Sequence, residues 1–328
     1  MTNQERLART YYKQVDKECP TLVTYSRNLN LAYMEGQLEP CYYRDDYLAQ
    51  IQKILLRKGK ANVLLSGEAG CGKTAIVEGV AAQLVQRKID YEIDCNHEWK
   101  RYRAIEQYKL GSYAYGDSDD DDFVAPPKPF LCDAVIYDLS LTALVGGTPH
   151  RGEFEARMQK ILDECKSHPN VILFIDEIHG ITVIGKSDGS ENSAHALKPA
   201  LARKEIRLIG ATTSEEKACI AKDKALWRRF CEIVVQPLTG EAAEQTASKI
   251  LADYCRFHEV GTDVSAAELL KMVQHKMPQS VFPDNFINII DETLAGAVYD
   301  CLSTVEMFHF EQVLNRISAN SCSNICEE

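Results

Sequence analysis

A glycine-rich loop set between a strand and a helix constrains this chain more than any other stretch. Gly67-Glu68-Ala69-Gly70-Cys71-Gly72-Lys73-Thr74 follows the apolar run Val63, Leu64 and Leu65, and precedes Ile76, Val80 and Leu84 at helical spacing. The pattern Gly67-x-x-x-x-Gly72-Lys73-Thr74 is a phosphate loop in its expected context. Glycines let the backbone curl until successive N–H groups point at phosphate oxygens. Lys73 adds a point charge beside the β- and γ-phosphates, Thr74 offers its hydroxyl to Mg²⁺, and the helix beginning there turns its positive end toward the same anion.

The chain has 328 residues, enough for one large or two modest domains with a substantial core. Its net charge of −11 argues against a non-specific binder of nucleic acid or acidic membrane, although it leaves room for a local basic patch. The cysteines are scattered singly between Cys19 and Cys326, without a disulfide or zinc spacing, and read as reduced thiols. The N-terminus lacks a signal-peptide pattern, and no apolar run approaches the ~20 residues of a membrane span. The expectation is a cytoplasmic protein without a membrane partner.

Residues 1–22 are polar and read as an N-terminal extension. Residues 23–60 look helical, broken at Pro40, with Tyr47, Ile51, Ile54 and Leu55 on one packing face. The helix after the phosphate loop fades near Lys88, and residues of about 90–130 read as an acidic, partly mobile insert containing Asp119-Asp-Asp-Asp122. That insert is either a solvated loop or a docking segment for a partner. Strand and helix then alternate: residues 134–139, a helix bearing Phe154, Met158, Ile161 and Leu162, residues 171–175, residues 206–211 and residues 232–235. Such alternation implies an α/β fold with a five-stranded parallel sheet covered by helices on both faces. Ligands then sit beyond the carboxyl ends of the strands. From Thr239 strand signals stop, Ser265-Ala-Ala-Glu268 looks like a capping box, and two apolar stripes imply a small helical lid over residues 238–302. The large ATPase domain therefore spans 23–237, and residues 303–328 form a linker-like tail.

The apolar strand 171–175 ends in Asp176-Glu177. An acid pair there lets Asp176 hold the Mg²⁺ shell and Glu177 orient or deprotonate a water for attack on the γ-phosphate. With the phosphate loop upstream, the pair indicates an ATPase using ATP and Mg²⁺.

At this point the sequence resembles the first ATPase module of the Clp-type AAA+ unfoldases, ClpA, ClpB and ClpC. The matching stretches are the phosphate loop continued through Ala75-Ile-Val-Glu-Gly79, Arg151-Gly-Glu-Phe-Glu-Ala-Arg157, Ile172-Leu-Phe-Ile-Asp-Glu-Ile-His179, Leu197-Lys-Pro-Ala-Leu-Ala-Arg203, Gly210-Ala-Thr-Thr213 and Lys222-Asp-Lys-Ala-Leu-Trp-Arg-Arg-Phe230. The resemblance implies an AAA+ P-loop NTPase with a C-terminal helical lid. It implies Thr213 as the sensor of the γ-phosphate, Arg228 and Arg229 as arginine fingers reaching a neighbouring subunit's nucleotide, and hence a homo-hexamer. It places 40–44 at the adenine-wrapping turn, with Tyr43 where the family has glycine. The pore loop that grips substrate in the family by a Lys-Tyr pair reads Pro149-His150 here, which gives a stiffer loop with less apolar area. The family lysine after Pro-Asp in the lid is Asn285. The match covers one ATPase module only, so the resemblance does not by itself imply a peptidase partner.

The leading expectation is a ring ATPase that remodels, unfolds or disassembles protein substrates, with a substrate or adaptor protein as partner. The alternative is a nucleotide-dependent regulatory subunit that assembles without threading substrate. A nucleic-acid-associated loader is disfavoured by the acidity of the chain.

Overall fold

The computed structural model describes residues 1–111, 128–146, 151–183, 194–203 and 205–323. The chain packs as two units. The first comprises Met1–Cys41, Asp46–Leu65 and Thr74–Ile233, and the second Tyr42–Asp45, Ser66–Lys73 and Val234–Glu328.

Six strands, β1 (Ser26–Asn28), β2 (Asn62–Gly67), β3 (Val135–Leu139), β4 (Val171–Ile175), β5 (Arg207–Thr213) and β6 (Phe230–Val234), form one sheet in the order β1-β3-β4-β5-β2-β6. β3, β4 and β5 run parallel, with Val135 opposite Val171 and Ile172 opposite Arg207. Parallel neighbours need crossover connections, which is why helices alternate with these strands. β4 is buried along its whole length, as its unbroken apolar sequence requires of a central parallel strand. One face of the sheet, through Val135, Tyr137, Leu173, Ile175 and Leu208, packs on Phe154, Met158, Ile161 and Leu162 of the helix Arg151–Ser167.

The sheet exceeds the expected five parallel strands by β1, an antiparallel edge strand that pairs Ser26 with Leu139 and Asn28 with Tyr137. Three polar residues carry no alternation that a sequence reading could detect. Beyond β1 the buried Asn30 continues the edge, donating from Nδ2 to Ala134 O and accepting at Oδ1 from Ile136 N–H.

Residues 1–22 are not a separate extension. The helix Asn3–Glu18, started by a Thr2/Glu5 capping box, buries Ala8, Tyr12 and Val15 in the core of the first unit. Ala8, Tyr12 and Val15 are embedded in a largely polar and charged sequence, so the helix's mean hydropathy conceals its buried face. The helix after the phosphate loop does not fade near Lys88 either: it runs Lys73–Gly111. No proline or glycine interrupts residues 80–110, and Glu, Lys, Arg, Gln and Ala there favour helix. The acidic run 117–122 lies outside the described residues.

The second unit is built from the helices Gly240–His258, Ala266–Lys276, Asp284–Tyr299 and Met307–Ser323. Their shared core includes Ile250, Leu270, Phe286, Ile290 and Leu294. Phe310 and Leu314, assigned from sequence to a tail, are fully buried in the same core. A short parallel pair, β7 (Gly261–Thr262) with β8 (Thr304–Val305), interrupts the expected all-helical run. Ser265 caps the helix it precedes without a side-chain hydrogen bond, so the expected capping box does not form.

Candidate functional site

The phosphate loop leaves β2 at Gly67, whose missing side chain is a steric requirement: a Cβ there would stand 2.6 Å from Val235 O. Gly70 and Gly72 hold φ values of +76° and +89°, the region that turns successive amides to one side and that side chains disfavour. A Cβ on Gly70 would also meet the Asp284 Cβ at 2.7 Å. Lys73 Nζ donates to Gly67 O at 3.1 Å and Glu68 O at 2.8 Å, so its ammonium lies against the loop backbone. Glu68 and Ala69 are exposed, whereas Cys71 is buried and burial pushes its thiol pKa up.

Arg44 fixes this loop. Its buried guanidinium donates from Nη1 to Gln236 O at 2.8 Å and from Nη2 to Cys71 O at 2.9 Å. The sequence placed Arg44 only in an adenine-wrapping turn and gave no sign of this clamp. Beside it Tyr43 adopts φ +53°, the conformation natural to the glycine it replaces in the family pattern. Lys249 Nζ lies 4.7 Å from the Tyr42 ring centroid and 4.6 Å from that of Tyr43, and Tyr42 Oη donates to Asp253 Oδ2 at 2.6 Å. These cation–π contacts hold the strained turn.

In the first unit Thr74, directly after Lys73 in the chain, donates from Oγ1 to Asp176 Oδ2 at 2.7 Å. Asp176 Oδ1 accepts the Glu177 N–H at 2.9 Å. Two hard oxygens so paired at the end of a buried strand fit a Mg²⁺ ion whose remaining positions are filled by phosphate and water. Glu177 is exposed and held at φ +48°, a strained conformation for a glutamate. The turn that imposes it is locked by the Gly180 N–H to Glu177 O bond at 2.8 Å and the Ile178 N–H to Ala211 O bond at 2.9 Å. Gly210 makes that docking possible, because a Cβ there would stand 2.7 Å from Ile178 Cδ1.

Thr213, the expected sensor, ends β5 with its hydroxyl donated to Glu216 Oε2 at 2.8 Å. The same carboxylate oxygen is 3.1 Å from His179 Nδ1, so Thr213, Glu216 and His179 form one polar chain after β4 and β5. Behind Asp176 stands a group that sequence reasoning missed. Asp138, near the end of β3, has its pKa pushed up to about 6 by burial and by the Asp176 charge, against the opposing pull of Arg27. Glu78, one helical turn after Thr74, is pushed up by burial, with Asp138 and Glu39 adding to the effect and Arg27 opposing it. The polar end of an otherwise apolar β3 was the available signal for Asp138.

Arg228 and Arg229 are not brought to these carboxylates within one chain. They line a cavity with Asn62, Val171 and Arg207, the first residues of β2, β4 and β5, whereas Asp176 and Thr213 lie at the carboxyl ends of β4 and β5. The length of β4 separates the two edges by roughly 17 Å at ~3.3 Å per residue. Pro149 and His150 lie outside the described residues. Among the described residues no helix is long and apolar enough to cross a membrane.

Comparison with known proteins agrees with this arrangement. Residues 63–238 match the family described as "ATPase family associated with various cellular activities (AAA)". The chain is 34% identical over 282 residues to the chaperone protein ClpB of Aquifex aeolicus, covering 85% of this chain and 24% of that protein. It is 34% identical over 281 residues to a homologue of the ATP-binding subunit ClpA of the Clp protease from Pyropia yezoensis, covering 85% and 30%. The chain thus spans a quarter to a third of the length of these relatives. Among solved structures, Hsp104 in a closed state with ATPγS and FITC casein aligns with a TM-score of 0.71 at 27% identity, over 91% of this chain and 45% of that one. The Saccharomyces cerevisiae Hsp104–ADP complex aligns at 0.65 and 28% identity, over 85% and 34%. Sequence profile, relatives and fold agree: the chain belongs to the AAA family of ATPases, and to its Clp type.

Proposed function

We propose that the chain binds ATP with Mg²⁺ through residues 67–74, hydrolyses it at Asp176 and Glu177, and works as a homo-hexameric ring that remodels protein partners. The observation that carries this reading is the Thr74–Asp176 hydrogen bond, which couples the residue after the phosphate-loop lysine to the acidic strand end. The curled loop amides and Lys73 hold the phosphates, and Thr74 and Asp176 hold the metal ion. Bound Mg²⁺ supplies charge neutralisation of the phosphate oxygens. Glu177, projected by its strained turn, orients and deprotonates the attacking water, and Thr213 senses the γ-phosphate through the chain that includes Glu216.

The position of Arg228 and Arg229 on the sheet edge away from Asp176 supports a role toward a neighbouring subunit's nucleotide, and so a ring. The likeness to Hsp104 solved with casein supports a polypeptide substrate, with Pro149 and His150 in the substrate pore loop. The test measures ATP turnover with and without an unfolded protein such as casein, alongside particle mass with and without Mg·ATP. Stimulated turnover by a hexamer is the expected result. A nucleotide-dependent assembly whose turnover ignores unfolded protein favours the regulatory-subunit reading, and a monomer with no turnover overturns both.

A further inference from the structure

The hydroxyl of Thr213 has no proton to spare. A threonine side chain carries one O–H and accepts through two lone pairs. Thr213 commits that proton to Glu216 Oε2 at 2.8 Å and accepts the Glu216 N–H at 3.2 Å. Ionised phosphate oxygens accept hydrogen bonds and donate none, so Thr213 can donate to a γ-phosphate only by withdrawing its proton from Glu216. Carboxylate and γ-phosphate are therefore rivals for one hydrogen bond, which is charge-assisted with either partner.

What Glu216 does once that proton leaves depends on His179. The imidazole Nδ1 stands 3.1 Å from the same Oε2, a distance that calls for a proton on that nitrogen. Thr212 Oγ1 lies 3.4 Å from the same nitrogen, and the His179 carbonyl accepts both the N–H of Thr182 at 2.9 Å and its hydroxyl at 2.7 Å. The ring is therefore seated, with a side chain 16% exposed, while that of Glu216 is 41% exposed and has room to swing. Lys217, the next residue, is turned to Glu232 Oε1 at 2.8 Å and does not neutralise Glu216. Among the described residues His179 is the ion-pair partner of Glu216. Two donors on one oxygen divide its charge between them, so a stronger hold on His179 means a weaker hold on Thr213.

We propose that Glu216 is a positioning residue that withholds the Thr213 proton from ATP, and that His179 is a second positioning residue that draws Glu216 away when the γ-phosphate claims that proton. The proposal rests on the reading of Thr213 as γ-phosphate sensor and adds to it the exchange of one acceptor for another. Glu216 then weakens ATP relative to ADP, which has no γ-phosphate to make the claim, and His179 offsets part of that penalty.

The test measures affinities for Mg·ATPγS and Mg·ADP by displacement of a fluorescent nucleotide from the full chain, and reads the preference for ATPγS as their ratio. Glu216→Ala should raise that preference about two- to tenfold, the scale of one exchanged hydrogen bond. Glu216→Gln, which keeps the bulk and an uncharged acceptor, should raise it less. His179→Ala should lower it by a similar factor, because nothing then draws the carboxylate off, and His179→Asn, whose Nδ2 can stand where Nδ1 stood, should recover it. With Thr213→Val in place, adding Glu216→Ala should leave the preference unchanged. A purely structural Glu216 would move both affinities together, so an unaltered ratio in Glu216→Ala overturns the proposal, as does a Glu216→Ala effect that persists beside Thr213→Val. The two readings fail differently. With Glu216→Ala in place the hydroxyl is released, so adding Thr213→Val must lower the preference; if it does not, the sensor reading itself is wrong. If it does while Glu216→Ala alone is silent, only the exchange is wrong.

Discussion

Thr74 Oγ1 and Asp176 Oδ2 share a hydrogen bond of 2.7 Å across 102 residues of sequence. The bond joins the first turn of one helix to the carboxyl end of the central strand, so the two oxygens proposed to hold the metal ion are positioned by these elements. Asp176 directly follows a strand that is buried along its whole length.

Removing the hydroxyl should therefore uncouple nucleotide from metal. In Thr74→Ala, nucleotide affinity in Mg²⁺ should fall about 10–100-fold, as for other losses around a metal site. The same titration in EDTA should barely change. An equal loss under both conditions would point to a misfolded loop instead.

Glu177→Gln keeps the size of the side chain but removes the proposed base. Turnover should fall roughly 10²–10⁴-fold while nucleotide affinity stays within a factor of a few. Retained turnover would show that another group activates the water.

The clamp on the loop predicts a stability effect separate from catalysis. Arg44→Met strands the Gln236 and Cys71 carbonyls without two charged hydrogen bonds, which should destabilise the second unit by about 2–4 kcal/mol in urea denaturation. Nucleotide affinity should fall with it, because the loop loses its anchor. A change below ~1 kcal/mol would mean that solvent replaces the guanidinium freely.

Gly70 combines two penalties that a double substitution separates. Gly70→Ala suffers both the φ of +76° and the approach to the Asp284 Cβ at 2.7 Å, and should lose roughly 1–3 kcal/mol. Asp284→Gly in that background removes only the steric part, so partial recovery is expected in denaturant titrations. Full recovery would mean that the backbone conformation costs nothing.

Asp138 sets a pH dependence with a definite sign. Its folded pKa of about 6 lies above the ordinary 3.8, so between these values the folded chain holds a proton that the unfolded chain has lost. Its contribution to stability must fall as pH rises from about 4 to about 6. Asp138→Asn should flatten that part of the profile and make the chain more stable near pH 7, measured as denaturation midpoints across the range. A slope unchanged in the variant would assign the titration elsewhere.

The chemistry of the site was written in local sequence. The spacing named Gly70, Gly72, Lys73, Thr74, Asp176 and Glu177 as candidates, and the structure gives Gly70 and Gly72 the positive φ such a loop needs and joins Thr74 to Asp176. The strands β2 to β5 were equally legible because their apolar runs are buried, while the half-exposed β6, expected at 232–235, lies at Phe230–Val234. The edge strand β1, the core role of Tyr12 and the burial of Phe310 were not, since each depends on what a distant segment offers.

By itself, then, the sequence named the candidate residues for phosphate and metal, because those demands act over a few consecutive peptide units. Only the tertiary structure decided that Arg44 clamps the loop, that Asp138 stands behind Asp176, and that Arg229 shares a cavity with Asn62 and Val171. These are relations between residues 27 to 192 apart, and their energies arise from burial and Coulomb interaction in space, quantities that no local pattern encodes.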